Sequence, residues 1–371
     1  MSKLNISRLT NENEDGAPYI SGITTFSSTA FLEPPKGNTA QRPEYVKPGM
    51  IRFNTDSAHL EYYNGVEWTE VLVANNSLDG GARGLFGGAE GPNNTIEYIT
   101  ISTLGNATDF GDFVSARSGA GGCASSTRGL FGGGLAPTIS SSIEFLTISS
   151  TGNSISFGNL SQIRTSTVAL SSNTRGIFGG GLTATPNTVT NIIEYITISA
   201  TGNGVDFGDL TQARSQLGAC ASSTRGLFAS GANPTTNIID YITISTLGNA
   251  LDFGDLTISI AGVTPGCSNS TRGLFGGGSQ PATTNVIGFV TIATTGNAED
   301  FGDLTVARGE FGACSSSTRG IWAGGNSNPT RVNVIDYVTI LSTGNAQDFG
   351  DLGSFSTNSG MTGLSNGHGG L

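Results

Sequence analysis

Lysine is absent from most of this chain, since none follows Lys47 in a sequence of 371 residues. Beyond Val73 the cationic side chains are 11 arginines, against 19 aspartates and glutamates. A surface that follows nucleic-acid phosphates needs clustered lysine and arginine. The charge balance therefore argues against nucleic acid as a partner of this region.

Long apolar runs are missing as well. No apolar stretch reaches the roughly 18 residues that a membrane-spanning helix requires, and Met1 to Thr10 lacks the apolar segment of a signal peptide. We therefore expect no membrane insertion and no secretion by a signal peptide.

Histidine and cysteine are scarce, which limits catalytic and metal sites. The histidines are His59 and His368, and no C-x-x-C pair occurs among the four cysteines, so a zinc site is not indicated. A hydrolase needs a nucleophile, a base and an orienting group within hydrogen-bond reach. We expect no enzyme activity and no catalytic, cofactor-binding or metal-binding residues. Paired carboxylates such as Asp252 and Asp255 leave weak calcium binding as an alternative.

An arginine–glycine pair recurs six times and defines an internal repeat. Each arginine is followed, after the glycine, by Leu or Ile and then by Phe or Trp, and the intervals are 45, 47, 50, 47 and 47 residues. The arginines are Arg83, Arg128, Arg175, Arg225, Arg272 and Arg319. A period of roughly 20–50 residues is typical of solenoids, propellers and arrays.

Each repeat predicts four strands. In the fourth repeat they cover 218–222, 224–228, 237–244 and 252–256, and the third is apolar on both faces, as in a sheet covered on both sides. Each cysteine lies five residues before a repeat arginine, where another repeat has Leu170. A site that accepts cysteine or leucine is apolar, so we expect four buried, reduced thiols. We also expect each repeat arginine to pair with an aspartate of its own or the next repeat.

The chain ends on a partial repeat, which distinguishes a propeller from a solenoid. Ser365 to Gly369 is a degenerate copy of the arginine motif, preceded by a possible first strand near Met361. Such a strand would complete the first repeat and remove an open sheet edge. A segment around Leu78 competes for the same place.

The repeat resembles the kelch repeat in the order of its features. An arginine comes first, then a strand of small residues, then an apolar strand ending in Gly-Gly, and the third strand carries an aromatic residue. Fourth strands carry Phe where kelch repeats have Trp, and the arginine before the first strand is missing near Ile260. The Gly-Leu-Phe-Gly-Gly arrays also resemble structural proteins of marine phages. The resemblance implies an all-β fold with a six-bladed kelch-like β-propeller over 76–371.

Two further segments precede the repeats. Residues 1–48 predict an extended arm, because prolines enforce extended backbone. The arm is either disordered or lies along another protein, and the candidate virion-docking residues are Phe26, Phe31, Pro34 and Pro35. Residues 49–75 predict a small β-hairpin module turning at Asn64–Gly65. Its Asn-Thr-Asp, Glu-x-Tyr and Gly-x-x-Trp sequences resemble a short β-motif of tail-fibre and other structural proteins of tailed bacteriophages.

The loop between the second and third strands varies most among the repeats. Loops on a rigid scaffold often carry function, and these are rich in Thr, Asn, Ser and Pro, which suits recognition of a host glycan or protein but also suits plain solvated loops. The candidate receptor-facing residues are Asn94, Thr138, Thr185, Asn233, Thr283 and Arg331.

These features together favour a phage virion structural protein. The arm would bind other virion proteins, and the propeller would serve host adhesion or capsid or tail decoration, without a cofactor. A cellular kelch-like scaffold that binds a protein partner is the alternative.

Overall fold

The computed structural model describes residues 34–57, 59–71, 82–88, 93–136, 138–183, 188–260, 262, 265–279, 281–353 and 360–371. The chain divides into two compact units, 1–75 and 76–371. Apart from one 3-10 turn at Thr39–Gln41, the regular elements in these ranges are β-strands. The prediction of an all-β chain is confirmed. Within the same ranges, no helix has the length and apolarity needed to cross a membrane.

The first unit holds one four-stranded sheet. Its strands, in order of pairing, are β1 (Lys36–Gly37), β2 (Ile51–Asn54), β3 (His59–Tyr63) and β4 (Trp68–Glu70). The predicted turn is present: Asn64 Oδ1 accepts from the main-chain N–H groups of Val66 and Glu67 at 2.8 and 2.9 Å. Strand β1 pairs in parallel with β2. The sheet thus begins inside the segment predicted as an extended arm.

The second unit contains six four-stranded antiparallel sheets within its described residues. Sheet 1 is β30 (Thr362–Ser365), β5 (Arg83–Gly87), β6 (Thr95–Thr100) and β7 (Thr108–Asp112); sheet 2 is β8 (Gly121–Ala124), β9 (Arg128–Gly132), β12 (Ser142–Thr147) and β13 (Ile155–Asn159); sheet 3 is β14 (Val168–Ser171), β15 (Arg175–Gly179), β16 (Ile192–Thr197) and β17 (Val205–Asp209). Sheet 4 is β18 (Gly218–Ala221), β19 (Arg225–Ala229), β20 (Thr236–Thr243) and β21 (Leu251–Ile260); sheet 5 is β22 (Gly266–Ser268), β23 (Arg272–Gly276), β24 (Val286–Thr291) and β25 (Glu299–Asp303); sheet 6 is β26 (Gly312–Ser315), β27 (Arg319–Ala323), β28 (Val334–Thr339) and β29 (Gln347–Asp351). A short hairpin of β10 (Leu135–Ala136) and β11 (Thr138–Ile139) lies in the loop between β9 and β12.

The apolar core lies within and between these sheets. Phe228 of β19 is fully buried, as predicted. The third-strand aromatic meets the fourth-strand phenylalanine edge to face, for example Tyr241 and Phe253 with centroids 6.1 Å apart. This arrangement suits the ring quadrupoles. The four-strand prediction for the repeat holds, except that β21 extends to Ile260.

The C-terminal segment supplies the first strand of sheet 1. Strand β30 pairs with β5, and Leu364 lies opposite Leu85 as Cys220 lies opposite Leu227 in sheet 4. Met361, directly before β30, is buried. The prediction that this segment completes the first repeat is confirmed, and Leu78 lies outside the described residues.

The glycine of each arginine–glycine pair makes room for a side chain from the preceding sheet. A Cβ at Gly273 of sheet 5 would lie 2.6 Å from the Sγ of Cys220 in sheet 4, a clash that glycine avoids. The same contacts join Leu364 to Gly129, Cys123 to Gly176, Leu170 to Gly226, Cys267 to Gly320 and Cys314 to Gly84. Each sheet therefore contacts the next in chain order, and sheet 6 contacts sheet 1.

The Asp-Phe-Gly-Asp strand meets the Gly-Asn turn of the next sheet. Gly296 N–H donates to the Phe253 oxygen at 2.8 Å, and Asn297 Oδ1 accepts from Asp255 N–H at 3.0 Å. A Cβ at Gly254 would lie 2.5 Å from the Gly296 oxygen, and the φ of Gly254 is 142°. Glycine is required there by both space and backbone conformation. The other turns repeat this bond: Gly105 to Phe349, Gly152 to Phe110, Gly202 to Phe157, Gly248 to Phe207 and Gly344 to Phe301.

Each repeat arginine also bridges two sheets. Arg225 Nη1 donates to the Ile292 main-chain oxygen of sheet 5 at 2.9 Å, while its guanidinium carbon lies 4.5 Å from the ring centroid of Tyr241. The remaining arginines donate to Ile148, Ile198, Ile244, Ile340 and Ile101. The expectation of aspartate partners is wrong, because the neighbouring third strand ends beside the guanidinium and offers a carbonyl.

Candidate functional site: a cavity lined by six first strands

A cavity of about 280 Å³ runs along the first strands of the six sheets in the second unit. Each first strand pairs on one side with the second strand of its own sheet. Its other edge therefore faces the cavity. The sequence features point to the surface loops and give no indication of this internal space.

Main-chain groups of the first strands that do not bond to the second strand lie at the edge nearest the cavity. In sheet 4 the Ser222 N–H donates to the Arg225 oxygen at the hairpin turn. Hydrogen-bonded pairs alternate along an antiparallel ladder, so Cys220 bonds to the second strand, whereas Ala219 and Ala221 direct their N–H and C=O groups away from it. Ala221 has partners in the next sheet, since its N–H and oxygen both bond to the hydroxyl of Ser268 in sheet 5.

The residues equivalent to Ala219 form a belt, which we call the amide belt. Its members are Gly122, Ala169, Ala219, Gly266, Ala313 and Gly363, and all six line the cavity. All are glycine or alanine because the first strands lie close together: a Cβ at Gly266 would lie 2.6 Å from the Ala219 oxygen. The recurrence of very small residues at this position was the sequence signal for the belt.

One end of the cavity is bounded by the residues that precede the first strands. Six equivalent residues, the rim, have left-handed backbone conformations: Gly119, Ser166, Gln216, Gly262, Glu310 and Gly360. Main-chain bonds join neighbours around it, such as Gln216 N–H to the Ser166 oxygen at 3.0 Å and Glu310 N–H to the Gly262 oxygen at 3.0 Å. Main-chain atoms of the rim thus form the mouth of the cavity at this end.

The variable loops lie at the same end of the sheets as the rim. Residues of the rim segments pair with loop residues through isolated β-bridges, namely Ser118 with Leu135, Thr165 with Leu182, Ser215 with Ala232 and Gly309 with Asn326. Of the predicted receptor-facing residues, Thr138, Asn233 and Arg331 are exposed, Asn94 and Thr283 are partly exposed, and Thr185 lies outside the described residues.

His368 lies at the other end of the cavity. Its Nε2 is 2.9 Å from the oxygen of Ala124, the last residue of β8, and its Nδ1 accepts from Gly370 N–H at 3.1 Å. These partners assign the neutral tautomer that carries its proton on Nε2. Burial lowers the pKa of His368, although the bond to Ala124 opposes that shift. The residues around His368 thus narrow the end opposite the rim.

The four cysteines are buried free thiols, as predicted. Burial raises the pKa of Cys123 to about 12, so its thiol stays protonated at neutral pH. A thiolate is the reactive form of cysteine. These side chains pack against neighbouring sheets and do not form a nucleophilic site.

Four buried ion pairs each join an arginine that precedes a first strand to an acidic residue of the third strand of the same sheet. Arg308 Nη1 lies 2.9 Å from Asp336 Oδ2, and both side chains are fully buried. The equivalent pairs are Arg117 with Glu144, Arg164 with Glu194 and Arg214 with Asp240. Burial lowers the pKa of Arg308, while the charge of Asp336 opposes this. In the fifth repeat, Ile260 at the end of β21 and Gly288 of β24 stand at these two positions, so both charges are replaced together.

The first unit carries a different charged cluster. Glu61 is fully buried and pairs with Arg42 at 2.6 Å and with Arg52 at 3.1 Å. The hydrogen bond from Arg42 is the main cause that lowers the pKa of Glu61. The cluster ties part of the predicted arm to the sheet.

The predicted docking residues are partly within the described ranges. The Pro35 oxygen accepts from Phe53 N–H at 2.8 Å, next to Pro34 and strand β1. Phe26 and Phe31 lie outside the described residues.

The sheet of the first unit has an exposed face, opposite the face that carries Glu61. On it the side chains of Ile51 and Tyr62 are exposed to 53% and 38%.

No protein-family model matches the chain, and no match is found among curated proteins. Among the described residues, no group of three or more His, Cys, Asp or Glu side chains is placed to hold a metal ion. The geometry of the cavity and loops therefore carries the functional argument.

Proposed function

We propose that residues 76–371 form a six-bladed kelch-like β-propeller and that the chain is a phage virion structural protein. Residues of the N-terminal unit attach it to other virion proteins. The propeller serves host adhesion or decorates the capsid or tail.

The contacts between sheets support the propeller. Three kinds of contact join each sheet to the next: a side chain against the repeat glycine, a Gly-Asn turn against a fourth strand, and an arginine against a carbonyl. All three also join sheet 6 to sheet 1, for example Arg319 to Ile101 and Gly105 to Phe349. Radial repetition of this kind leaves only short sheet edges.

The distribution of variation is the observation that carries the adhesive role. The repeated motifs are used in contacts between sheets, so they are needed for the fold. The loops between second and third strands differ among repeats and lie at one end of the sheets, beside the rim. A rigid scaffold that presents variable polar loops on one side suits recognition of a host glycan or protein.

The chemistry of the titratable groups supports a role without catalysis. Both ring nitrogens of His368 have main-chain partners. The buried acids Glu144, Glu194, Asp240 and Asp336 have arginine partners. A general base must lie within hydrogen-bond reach of a substrate proton, whereas these groups are paired inside the protein.

Attachment is tested by two deletions in a phage that carries the gene. Removing residues 1–33 spares β1 and the Arg42–Glu61 pair, whereas removing 1–75 deletes the whole first unit. We expect both truncated proteins to remain soluble, and the protein lacking 1–75 to be missing from purified particles. Normal incorporation of that protein would refute attachment through the N-terminal unit. The shorter deletion separates docking by the arm from docking by the sheet.

Adhesion is tested by loop exchange. Replacing the exposed loop residues 233–235 of the fourth repeat by Gly and Ser residues of equal number should leave the melting temperature within a few degrees but reduce binding to host cells. Unchanged binding after such replacement in each of the six loops would refute recognition through this face.

A further inference from the structure

We propose that the central cavity binds one neutral monosaccharide residue, the terminal sugar of a surface glycan, which enters through the rim. The inference rests on the proposed adhesive function and names its ligand class. The amide belt, the lining charges, the size of the cavity and its narrowed end support it.

Hydrogen bonding determines the kind of ligand. The residues of the amide belt line the cavity, and the register of the ladder directs their N–H and C=O groups away from their own second strands. Main-chain N–H and C=O groups are strong hydrogen-bonding groups that need partners. A ligand that both donates and accepts at several positions meets this need, as the hydroxyl groups of a sugar do, whereas a hydrocarbon does not.

Charge favours a neutral ligand. Among the described residues that line the cavity, Glu310 is the one with a charged side chain at neutral pH, since burial lowers the pKa of His368 and its Nδ1 accepts from Gly370 N–H. No arginine or lysine is among the described residues that line the cavity, so an anionic sugar would approach Glu310 without a cationic partner. Leu217 and Phe311 also line the cavity and can pack against the C–H groups of a sugar ring.

Size and shape favour a single terminal residue. A volume of about 280 Å³ lies near the lower end of the roughly 300–1,000 Å³ found for small-molecule pockets. His368 and the turn that follows narrow the end opposite the rim, where Gly369 N–H donates to the Ser268 oxygen at 3.0 Å. A glycan chain can therefore enter from the loop side by its last residue but cannot thread through.

Binding is measured on the full chain by saturation-transfer NMR and calorimetry. The neutral probes are glucose, galactose, mannose, rhamnose and N-acetylglucosamine, each as the free sugar and as its methyl glycoside. Glucuronic acid and sialic acid are the anionic probes. Thr165→Trp and Ser118→Trp each place a large ring at the mouth, since both residues line the cavity. Thr201→Trp, at an exposed turn that does not line it, is the matched control.

We expect at least one neutral sugar to bind with one-to-one stoichiometry, and its methyl glycoside to bind within about threefold of the free sugar. The two mouth variants should weaken binding at least tenfold, and Thr201→Trp should leave it unchanged. Circular dichroism and the melting temperature verify that each variant is folded; if one mouth variant misfolds, the other decides.

Three results would overturn the proposal: no binding of any neutral sugar, binding that survives both folded mouth variants, or equally strong binding of the anionic probes. Preference for free sugars over glycosides would overturn the terminal-glycan assignment. If the parent protein binds cells but no sugar, this inference is refuted and the adhesive function is not. If it binds a sugar but no cells, the adhesive function is refuted and sugar binding by the cavity is not.

Discussion

The ion pair of Arg308 and Asp336 gives a sharp prediction, because the chain contains its natural replacement. Ile260, at the end of β21 and directly before the fifth repeat, and Gly288 of β24 stand at the equivalent positions, and Ile260 is buried. We consider three variants: Arg308→Ile, Asp336→Gly and the two changes combined. The double variant copies the arrangement of sheet 5 into sheet 6.

The structure sets the expected magnitudes. Asp336 accepts from the N–H and hydroxyl groups of Thr305 at 3.2 and 2.5 Å, and its Oδ2 forms an ion pair with Arg308 Nη1 at 2.9 Å. Arg308→Ile leaves this fully buried carboxylate without a cation, a change that costs about 3–5 kcal/mol. Asp336→Gly leaves the Arg308 guanidinium, which also donates to the Trp322 oxygen, without an anion and should cost a similar amount. Removing both charges avoids either penalty, so the double variant should be more stable than each single one.

Urea unfolding followed by fluorescence and circular dichroism measures these differences, with the slopes compared to verify that the transition is unchanged. The double variant controls for the packing lost with the two side chains. If the free-energy changes of the two single variants sum to the change of the double variant, the pair does not act as a unit. A loss below about 1 kcal/mol for Arg308→Ile would mean that Asp336 is hydrated in solution, and the reasoning would fail.

Four further predictions test other parts of the fold. Gly254→Ala should lower the free energy of unfolding by several kcal/mol, on the order of the penalties for backbone strain and overpacking. The matched control is Gly296→Ala, whose added Cβ would have no described atom within 4 Å apart from its chain neighbours, and it should change the free energy by less than about 1 kcal/mol. Equal effects would show the turn contact to be absent. Phe228→Ala should cost about 3–5 kcal/mol in chemical denaturation, and a loss below about 1 kcal/mol would place its side chain at the surface. Truncation after Leu352 removes β30 and should cause cooperative loss of stability and aggregation through the freed edge of β5; a monomer that melts within a degree or two of the full chain would contradict the pairing. Because burial lowers the pKa of His368 below its ordinary value of 6.5, the unfolded chain binds its proton more readily, so this contribution to stability is complete above pH 6.5 and declines as the pH falls below it; His368→Gln should flatten the slope between about pH 6.5 and 5, and an unchanged slope would remove His368 as its source.

Much of the fold could be predicted because each repeat contains local signals. The alternation of small and apolar residues located the four strands around Phe228, and the shared position of Cys220 and Leu170 identified a buried apolar site. The partial copy near Met361 identified the strand that completes sheet 1. In each case the signal lies within one repeat or in the comparison of equivalent positions.

Contacts between repeats were harder to foresee. Arg225 bonds to the Ile292 carbonyl, a main-chain partner that leaves no mark in side-chain composition. The ion pair of Arg308 and Asp336 joins residues 28 positions apart, and its sequence signal was the joint loss of both charges at Ile260 and Gly288. Strand β1 has two residues, too few for any periodic pattern.

The cavity could not be predicted because it is formed by main-chain edges. The amide belt has glycine or alanine at every position. In the sequence such small residues indicate close packing, but they do not indicate that main-chain groups line a cavity. The rim residues Ser166, Gln216 and Glu310 have left-handed conformations that their side chains do not favour. Only the placement of six first strands together reveals the space between them.

The central claim, an arm-anchored propeller that presents variable loops outward from a virion, is tested most directly by a cryo-EM map of the phage particle that carries this protein. We predict six blades around one axis, the loop that contains Asn233 directed away from the particle, and residues 34–71 in contact with another virion protein. Absence of the protein from purified particles, or a map in which the loop face is buried against the particle and the first unit is free, would contradict the account.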